Sequence, residues 1–483
     1  MGTWVETKEH ARRALLSLTN SRQQTATAVA ALSLPALLSP VVAVACAAAA
    51  GALLVSRHRA TRQPFQAVAR KGAPRQEGAY PIGTLEDGTP VRLTPPQARS
   101  GMVVHGDTGS GKTEAMLGIA EGMLAKGSGL IWVDGIGDVS IYAKVVQMAA
   151  ALGREDDVLL VMPAADDGTP RAHCFNPFET GTSQQLTILV GDLLEDSNDG
   201  AAWRGRSIAM MAPILEALVW RRDAGIASLD IDVILSALIL KNVATLAEDT
   251  DLPEAIREKL RNYLRSLPGY QAERGAKQAQ AVIDQHVFLA TQVSPVLRQL
   301  ARSGLTTSSA RYVDLADVLL NDRILVVMLP SVRRDEHEAS MFGRAAVAML
   351  KMAVAALPRP TRTSRPFPIV LDELRHYAST AAETIAVQAP SLGLAMIYGA
   401  GNEPPRMRQG GEVSDRLIAS ANVKLRMSHD GSGRMKAAIG GEHRDIVAIY
   451  PRTLGMEAYD RMQSAGGLPH PADLVPLTAH AAE

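Results

Sequence analysis

Gly106-Asp107-Thr108-Gly109-Ser110-Gly111-Lys112-Thr113 is the stretch that decides how this chain is read. It fits GxxxxGK[ST], with the β-rich run Met102–His105 before it and a helical run over 114–126 after it. Glycines let the backbone wrap closely and turn its N–H groups inward, which is what a cradle for phosphate needs. The helix that follows adds the positive potential of its N-terminus. Lys112 is placed to reach β- and γ-phosphate oxygens, and the Thr113 hydroxyl to ligate Mg²⁺. The whole octad is therefore a candidate site for ATP and Mg²⁺, with Lys112 as a catalytic cation. The bland alternative is a glycine-rich turn, which would leave the strand–loop–helix context to chance.

Such a loop needs an acid on a neighbouring strand. Pro366-Phe-Pro-Ile-Val-Leu-Asp372-Glu373 supplies two. Four apolar positions end in adjacent carboxylates, at the strand edge where α/β sheets place ligands. Asp372 is expected to hold Mg²⁺ and Glu373 to act as general base on the attacking water. Taken alone, this run also fits a buried strand entering a solvated turn.

Outward from these motifs, apolar runs alternate with helical stretches. Strands are expected at Met102–His105, Leu130–Asp134, Val158–Met162, Ile324–Leu329, Ile369–Leu371, Leu394–Tyr398 and Val423–Met427, with a hairpin around Asp87-Gly88. Several runs are apolar on both faces, the mark of a parallel sheet covered by helices. The fold class is α/β with a mostly parallel sheet. Residues 183–308 break the rhythm with helical periodicity alone and read as an all-helical insertion, which explains the distance between the two motifs. No LSGGQ-like segment is present.

Composition narrows the function. The 483 residues carry 50 basic and 50 acidic side chains, so no global field attracts nucleic acid. Aromatics are 4%, too few for a protein that grips single strands mainly by stacking. Two cysteines, Cys46 and Cys174, make neither a disulfide scaffold nor a zinc site.

Near the N-terminus, Gln23–Ser56 contains no charged residue and carries Pro35 and Pro40 near its middle. As one helix it would be about 50 Å long, against a hydrocarbon slab of about 30 Å. Basic residues flank both sides: Lys8, Arg12, Arg13 and Arg22 before, Arg57, Arg59, Arg62, Arg70 and Lys71 after. Because positive charge stays cytoplasmic, a hairpin of two short helices is favoured over a single kinked pass. The run Arg57–Arg75 has no acid and is expected to lie on anionic headgroups, the alternative being a solvated linker.

The order of these features resembles the type IV secretion coupling proteins of the TraG/TraD kind, nearest to the Dot/Icm and IncI-plasmid members, within the FtsK/HerA-type P-loop ATPases. Local matches run over about residues 80–430. They include Ile82-Gly83-Thr84, Trp132-Val-Asp134-Gly-Ile136-Gly-Asp138 against a "DxKGD" pattern, Phe175-Asn-Pro-Phe178, and Arg323–Ser331 with the Gly343-Arg344 helix after it. The resemblance implies a hexameric ring of RecA-like domains at the bacterial inner membrane, with its ATPase in the cytoplasm. It implies partners too: a relaxase with its DNA, or effector proteins, and the secretion channel. The helical insertion would be the docking domain.

Two departures stand out. The family's usual glutamine at the end of the next strand is replaced by Gly401, with Asn402 beside it, and Pro390 stands where an arginine often precedes that strand. Asn402 is a substitute sensor by type, and Arg406 or Arg408 a candidate finger across a subunit interface; ordinary solvated arginines are the plainer reading.

The domain plan is a cytoplasmic segment (1–22), the membrane hairpin (23–56), a basic linker (57–79), the first NTPase part (80–182), the helical insertion (183–308), the second NTPase part (309–466) and an irregular tail (467–483). The basic window 254–277 fits either phosphate contact or a salt-bridged helix face. Trp203, Arg204 and Arg206 fit either a docking surface or helix packing. The function expected is an ATPase that drives substrate into a secretion channel. The alternatives are an ATP-binding docking receptor with little turnover, and an FtsK/HerA-like DNA translocase, for which no winged-helix reader is evident after residue 430.

Overall fold

The computed structural model describes residues 79–448, apart from 163–171, 176, 195–200, 276, 303–311, 331–335, 358–364, 402–410 and 429–431. The expected membrane segment, basic linker and tail lie outside the described residues. Among the described residues, no helix is long and apolar enough to cross a membrane.

Eleven described strands form one sheet: β1 (Tyr80–Thr84), β2 (Pro90–Leu93), β3 (Met102–His105), β4 (Leu130–Asp134), β5 (Val158–Val161), β6 (Ile324–Met328), β7 (Phe367–Asp372), β8 (Leu394–Ala400), β9 (Val423–Met427), β10 (Arg434–Ile439) and β11 (Glu442–Ala448), in the order β2-β1-β11-β10-β9-β3-β8-β7-β4-β6-β5. From β9 to β5 all neighbours are parallel; from β9 outward through β10, β11, β1 and β2 all are antiparallel. Burial explains the division. Strands β4 to β8 are buried at every position, so they need helices on both faces. β9 alternates buried and exposed, as a sheet with one wet face does.

The helices are α1 (Pro95–Arg99), α2 (Lys112–Leu124), α3 (Val139–Ala151), α4 (Pro177–Thr180), α5 (Ser183–Leu193), α6 (Ala201–Asp223), α7 (Ile231–Ala237), α8 (Leu240–Ala247), α9 (Glu254–Ser266), α10 (Gln280–Arg302), α11 (Leu315–Leu320), α12 (Glu336–Ala355), α13 (Thr380–Gln388) and α14 (Gly411–Ser420). One core cluster joins the sheet to α2 and α3 through Met116, Ile119, Met123, Trp132, Tyr142 and Val145. Between β5 and β6 the described elements are all helices. They pack back on the α/β part through α5 and α12, where Lys351 Nζ donates to Asp192 Oδ2 at 2.8 Å.

Several expectations need correction. The helix after the glycine-rich loop runs Lys112–Leu124 rather than 114–126, because the loop ends one residue before Lys112. Strands expected at Ile369–Leu371 and Leu394–Tyr398 extend to Phe367–Asp372 and Leu394–Ala400. The hairpin β10–β11 has no counterpart in the expected strands. β11 is exposed over Glu442–Asp445 and charged there, so it lacks the apolar run that marks a strand locally.

Candidate active site

The glycine-rich loop leaves β3 and closes on α2. Gly109 and Gly111 take φ of 82° and 84°, where a side chain would be strained. Gly111 is the N-cap, so Lys112 and Thr113 open the helix. The Gly106 N–H donates to the Ala400 carbonyl at 3.0 Å, tying the loop to the tip of β8. Within the loop, the Ser110 N–H donates to the Asp107 carbonyl at 3.1 Å. Thr108 and Gly109 lie exposed at the mouth.

The two acids meet this loop. Lys112 Nζ donates to Glu373 Oε1, with both side chains buried. Thr113 Oγ1 donates to Asp372 Oδ2 at 2.9 Å. Yet β7 is not the neighbour of β3, as the sequence reading expects: β8 lies between them. Contact is kept for two reasons. Helix α2 crosses β8 to reach β7. And β8 carries glycine where Asp372 passes it: a Cβ on Gly399 would stand 2.2 Å from Asp372 Oδ1 and 2.9 Å from Met116 Cε. Gly399 is thus a site residue that sequence reading missed. Nothing local marks it, because its role depends on strand order.

Burial sets the electrostatics. Asp372 is pushed up to about 6, chiefly by desolvation, with Lys112 and the Thr113 hydrogen bond pulling the other way. Asp134, in register with Asp372 at the tip of β4, is pushed up to about 7 for the same main reason. Asp134 accepts the Ile136 N–H at 3.0 Å and the Asp138 N–H at 2.5 Å, which shapes the turn after β4. The signal was legible: Leu130–Asp134 ends an apolar run in an acid just as β7 does. The Tyr377 hydroxyl, wholly buried, donates to the carbonyls of Asp372 at 2.8 Å and Val133 at 3.2 Å and locks β7 to β4. Glu373 itself sits at φ 50°, an uncommon conformation for a side-chain residue, of the kind found at functional sites.

The donor set fits a magnesium–nucleoside phosphate. A hydroxyl and a carboxylate face one another, a buried lysine stands beside them, and the buried Ser110 Oγ has no hydrogen-bond partner. Among the described residues, no group of three His, Cys, Asp or Glu could hold a metal by itself. The facing Thr113 hydroxyl and Asp372 carboxylate suit Mg²⁺, which is bound through few protein oxygens plus phosphate. Asn402, Arg406 and Arg408 lie outside the described residues. A groove of about 840 Å³ among Arg99, Pro390, Met396 and Leu417 lies beside Gly101 and Asn422, which lead into β3 and β9, and so opens away from the loop.

The other candidates resolve simply. In the basic window, Arg257 pairs with Glu254 at 2.6 Å, Lys259 with Glu216 at 2.7 Å, and Arg265 with Glu258 at 2.9 Å, so the face of α9 is salt-bridged. Arg204 packs, its guanidinium donating to the Gly191 carbonyl at 2.6 Å. Trp203 is 40% exposed, stacks edge-on to Phe288 at 4.7 Å and lies under Arg206.

No family model matches the chain. Over 368 residues, 68% of its length, it is 34% identical to the type 4 coupling protein DotL of Legionella pneumophila subsp. pneumophila. This chain is a relative of the type IV coupling proteins. It spans about half, 47%, of that protein's length. Among solved structures, the bacterial conjugative coupling protein TrwBdeltaN70 is similar with a TM-score of 0.49 at 15% identity, over 79% of this chain and 88% of that one. VirB4 of Thermoanaerobacter pseudethanolicus is similar with a TM-score of 0.45 at 12% identity, over 81% of this chain and 100% of that one.

Proposed function

We propose that this chain is the ATPase of an inner-membrane coupling protein, which recruits a relaxase–DNA complex or effector proteins and drives them into a type IV secretion channel. The observation that carries the reading is the meeting of Lys112 with Glu373 and of Thr113 with Asp372 at the tips of the sheet. The sequence likeness to a coupling protein supports the cellular role. The anchor is the uncharged segment 23–56 with its basic flanks, set on anionic lipid with the ATPase in the cytoplasm. A hexameric, RecA-like ring is the assembly this role calls for.

In this reading, the backbone of 106–113 cradles phosphates and Lys112 neutralises their β/γ oxygens. Thr113 and Asp372 would hold Mg²⁺, which would supply positive charge to the phosphates. Glu373 orients and deprotonates the attacking water. The burial of Lys112, Asp372 and Glu373 excludes solvent, so their charges act in a low dielectric. The Trp203–Phe288 surface on the helical part is the proposed docking face.

Turnover of ATP by the purified full chain, with and without DNA, tests the reading. Lys112→Ala should abolish binding and turnover. Glu373→Gln should keep binding and lose turnover; unchanged turnover would refute its role as base. ATP binding with no turnover in the native chain would favour a docking receptor.

A further inference from the structure

Glu373 holds more than Lys112. Its second oxygen, Oε2, faces Arg375 Nε at 3.6 Å. Arg375 stands two residues on, in the short 3-10 turn Leu374–His376, with 44% of its side chain exposed. Its guanidinium lies against the tip of β8: a Cβ at Gly401 would stand 3.2 Å from one terminal nitrogen, 3.5 Å from the central carbon and 3.6 Å from the other nitrogen. One carboxylate therefore gathers two cations, a buried lysine from the loop and a half-exposed arginine from the turn after β7.

A carboxylate and a terminal phosphate are both oxyanions, and cations gathered on one are placed to receive the other. The forked guanidinium suits phosphate oxygens in particular. We infer that Arg375 contacts the terminal phosphate of a nucleoside triphosphate within its own chain, and so distinguishes triphosphate from diphosphate. The inference rests on the nucleotide-binding reading of 106–113. With no phosphate present, Glu373 neutralises both cations. Phosphate takes over both partners, and the carboxylate is released toward water; no bond is made or broken in this exchange. Gly401 is part of the device, since a larger residue there takes the space of the guanidinium.

The test uses the full chain and two probes, Mg²⁺–ADP and a non-hydrolysable ATP analogue, with affinities from calorimetry. Arg375→Ala should weaken the analogue about ten-fold or more, equal to about 1.4 kcal/mol, while ADP changes by less than about two-fold. Gly401→Val should reproduce that split, and Arg375→Lys should recover part of the analogue affinity. Equal losses for both nucleotides would mean a merely structural role, and no loss would mean no contact; either overturns the inference. If ADP binds and Lys112→Ala removes it, the nucleotide reading stands whatever Arg375→Ala does. If the native chain binds neither nucleotide, both fall. A thermal melt of each variant confirms that it is folded.

Discussion

Gly399→Ala offers a sharp test of how the site is assembled. A Cβ there would lie 2.2 Å from Asp372 Oδ1, 2.9 Å from Met116 Cε and 3.2 Å from Asp372 Cα. The Met116 methyl is the end of a flexible chain and can swing aside. The Asp372 Cα belongs to a buried central strand and cannot. The carboxylate must therefore rotate away, losing the Thr113 hydroxyl and the Glu373 N–H, each at 2.9 Å. Overpacking costs about 1–3 kcal/mol, and each hydrogen bond lost from a charged group about 1.5–3 kcal/mol; because one rotation relieves the first and forfeits two such bonds, a total of about 3–6 kcal/mol is expected. At roughly 2–4 °C per kcal/mol for a domain of 150–250 residues, calorimetry should show a fall of several degrees. The further rise induced by Mg²⁺–nucleotide should shrink as well, because stabilisation by a ligand follows its affinity. Gly205→Ala is the control, since a Cβ there meets nothing within 4 Å. A Gly399→Ala protein that melts with the native one and keeps the full Mg²⁺-dependent rise would refute this account.

Other consequences can be measured together. Arg323 is 3% exposed, and its Nε donates to Asp317 Oδ2 at 2.5 Å; Arg323→Ala strands a buried carboxylate and should cost about 3–5 kcal/mol, read as a lower urea midpoint. His286 accepts the Tyr263 hydroxyl at Nδ1 (2.6 Å) when Nε2–H donates to the Leu238 carbonyl (2.7 Å), an arrangement of the neutral ring. Burial depresses its pKa below 6.5, so its contribution is complete above that value and is lost as pH falls through the depressed one. Stability should therefore drop more steeply as pH falls below 6.5 in the native chain than in His286→Gln, and parallel slopes would count against the assignment. Tyr377→Phe removes the single hydroxyl proton that two buried carbonyls share and should cost about 1–2 kcal/mol in a chemical melt.

The parts of the fold that could be read from sequence share one property: their signal is local. β3, β4 and β9 fall at the expected residues because each is a short β-rich run bounded by glycine or turn residues. The helical stretch after β5 is periodic enough to read even though Pro213 and Pro295 lie inside its two longest helices. What escaped depends on the arrangement of distant segments. That β8 separates β3 from β7 is a matter of strand order, and Gly399 gains its meaning only from it. The octad and the acid pair stand out as spaced residue patterns, and the structure brings them together through Lys112 with Glu373 and Thr113 with Asp372. Arg375 and Tyr377 carry no such spacing and emerge only from the distances around Glu373 and Asp372.

The seam between β1 and β11 has a mechanical consequence. The described chain enters the sheet in β1 and leaves it in β11, and these strands run side by side, with Gly83 opposite Ala448 and Thr84 opposite Val447. A tether on the C-terminal flank would load this two-rung ladder first, whereas one on the N-terminal flank would load the Tyr80–Leu93 rung of β1 and β2 before it. The antiparallel strands from β2 to β10 would take the strain and act as a buffer for the parallel strands beyond β9 that carry the glycine-rich loop and the acid pair.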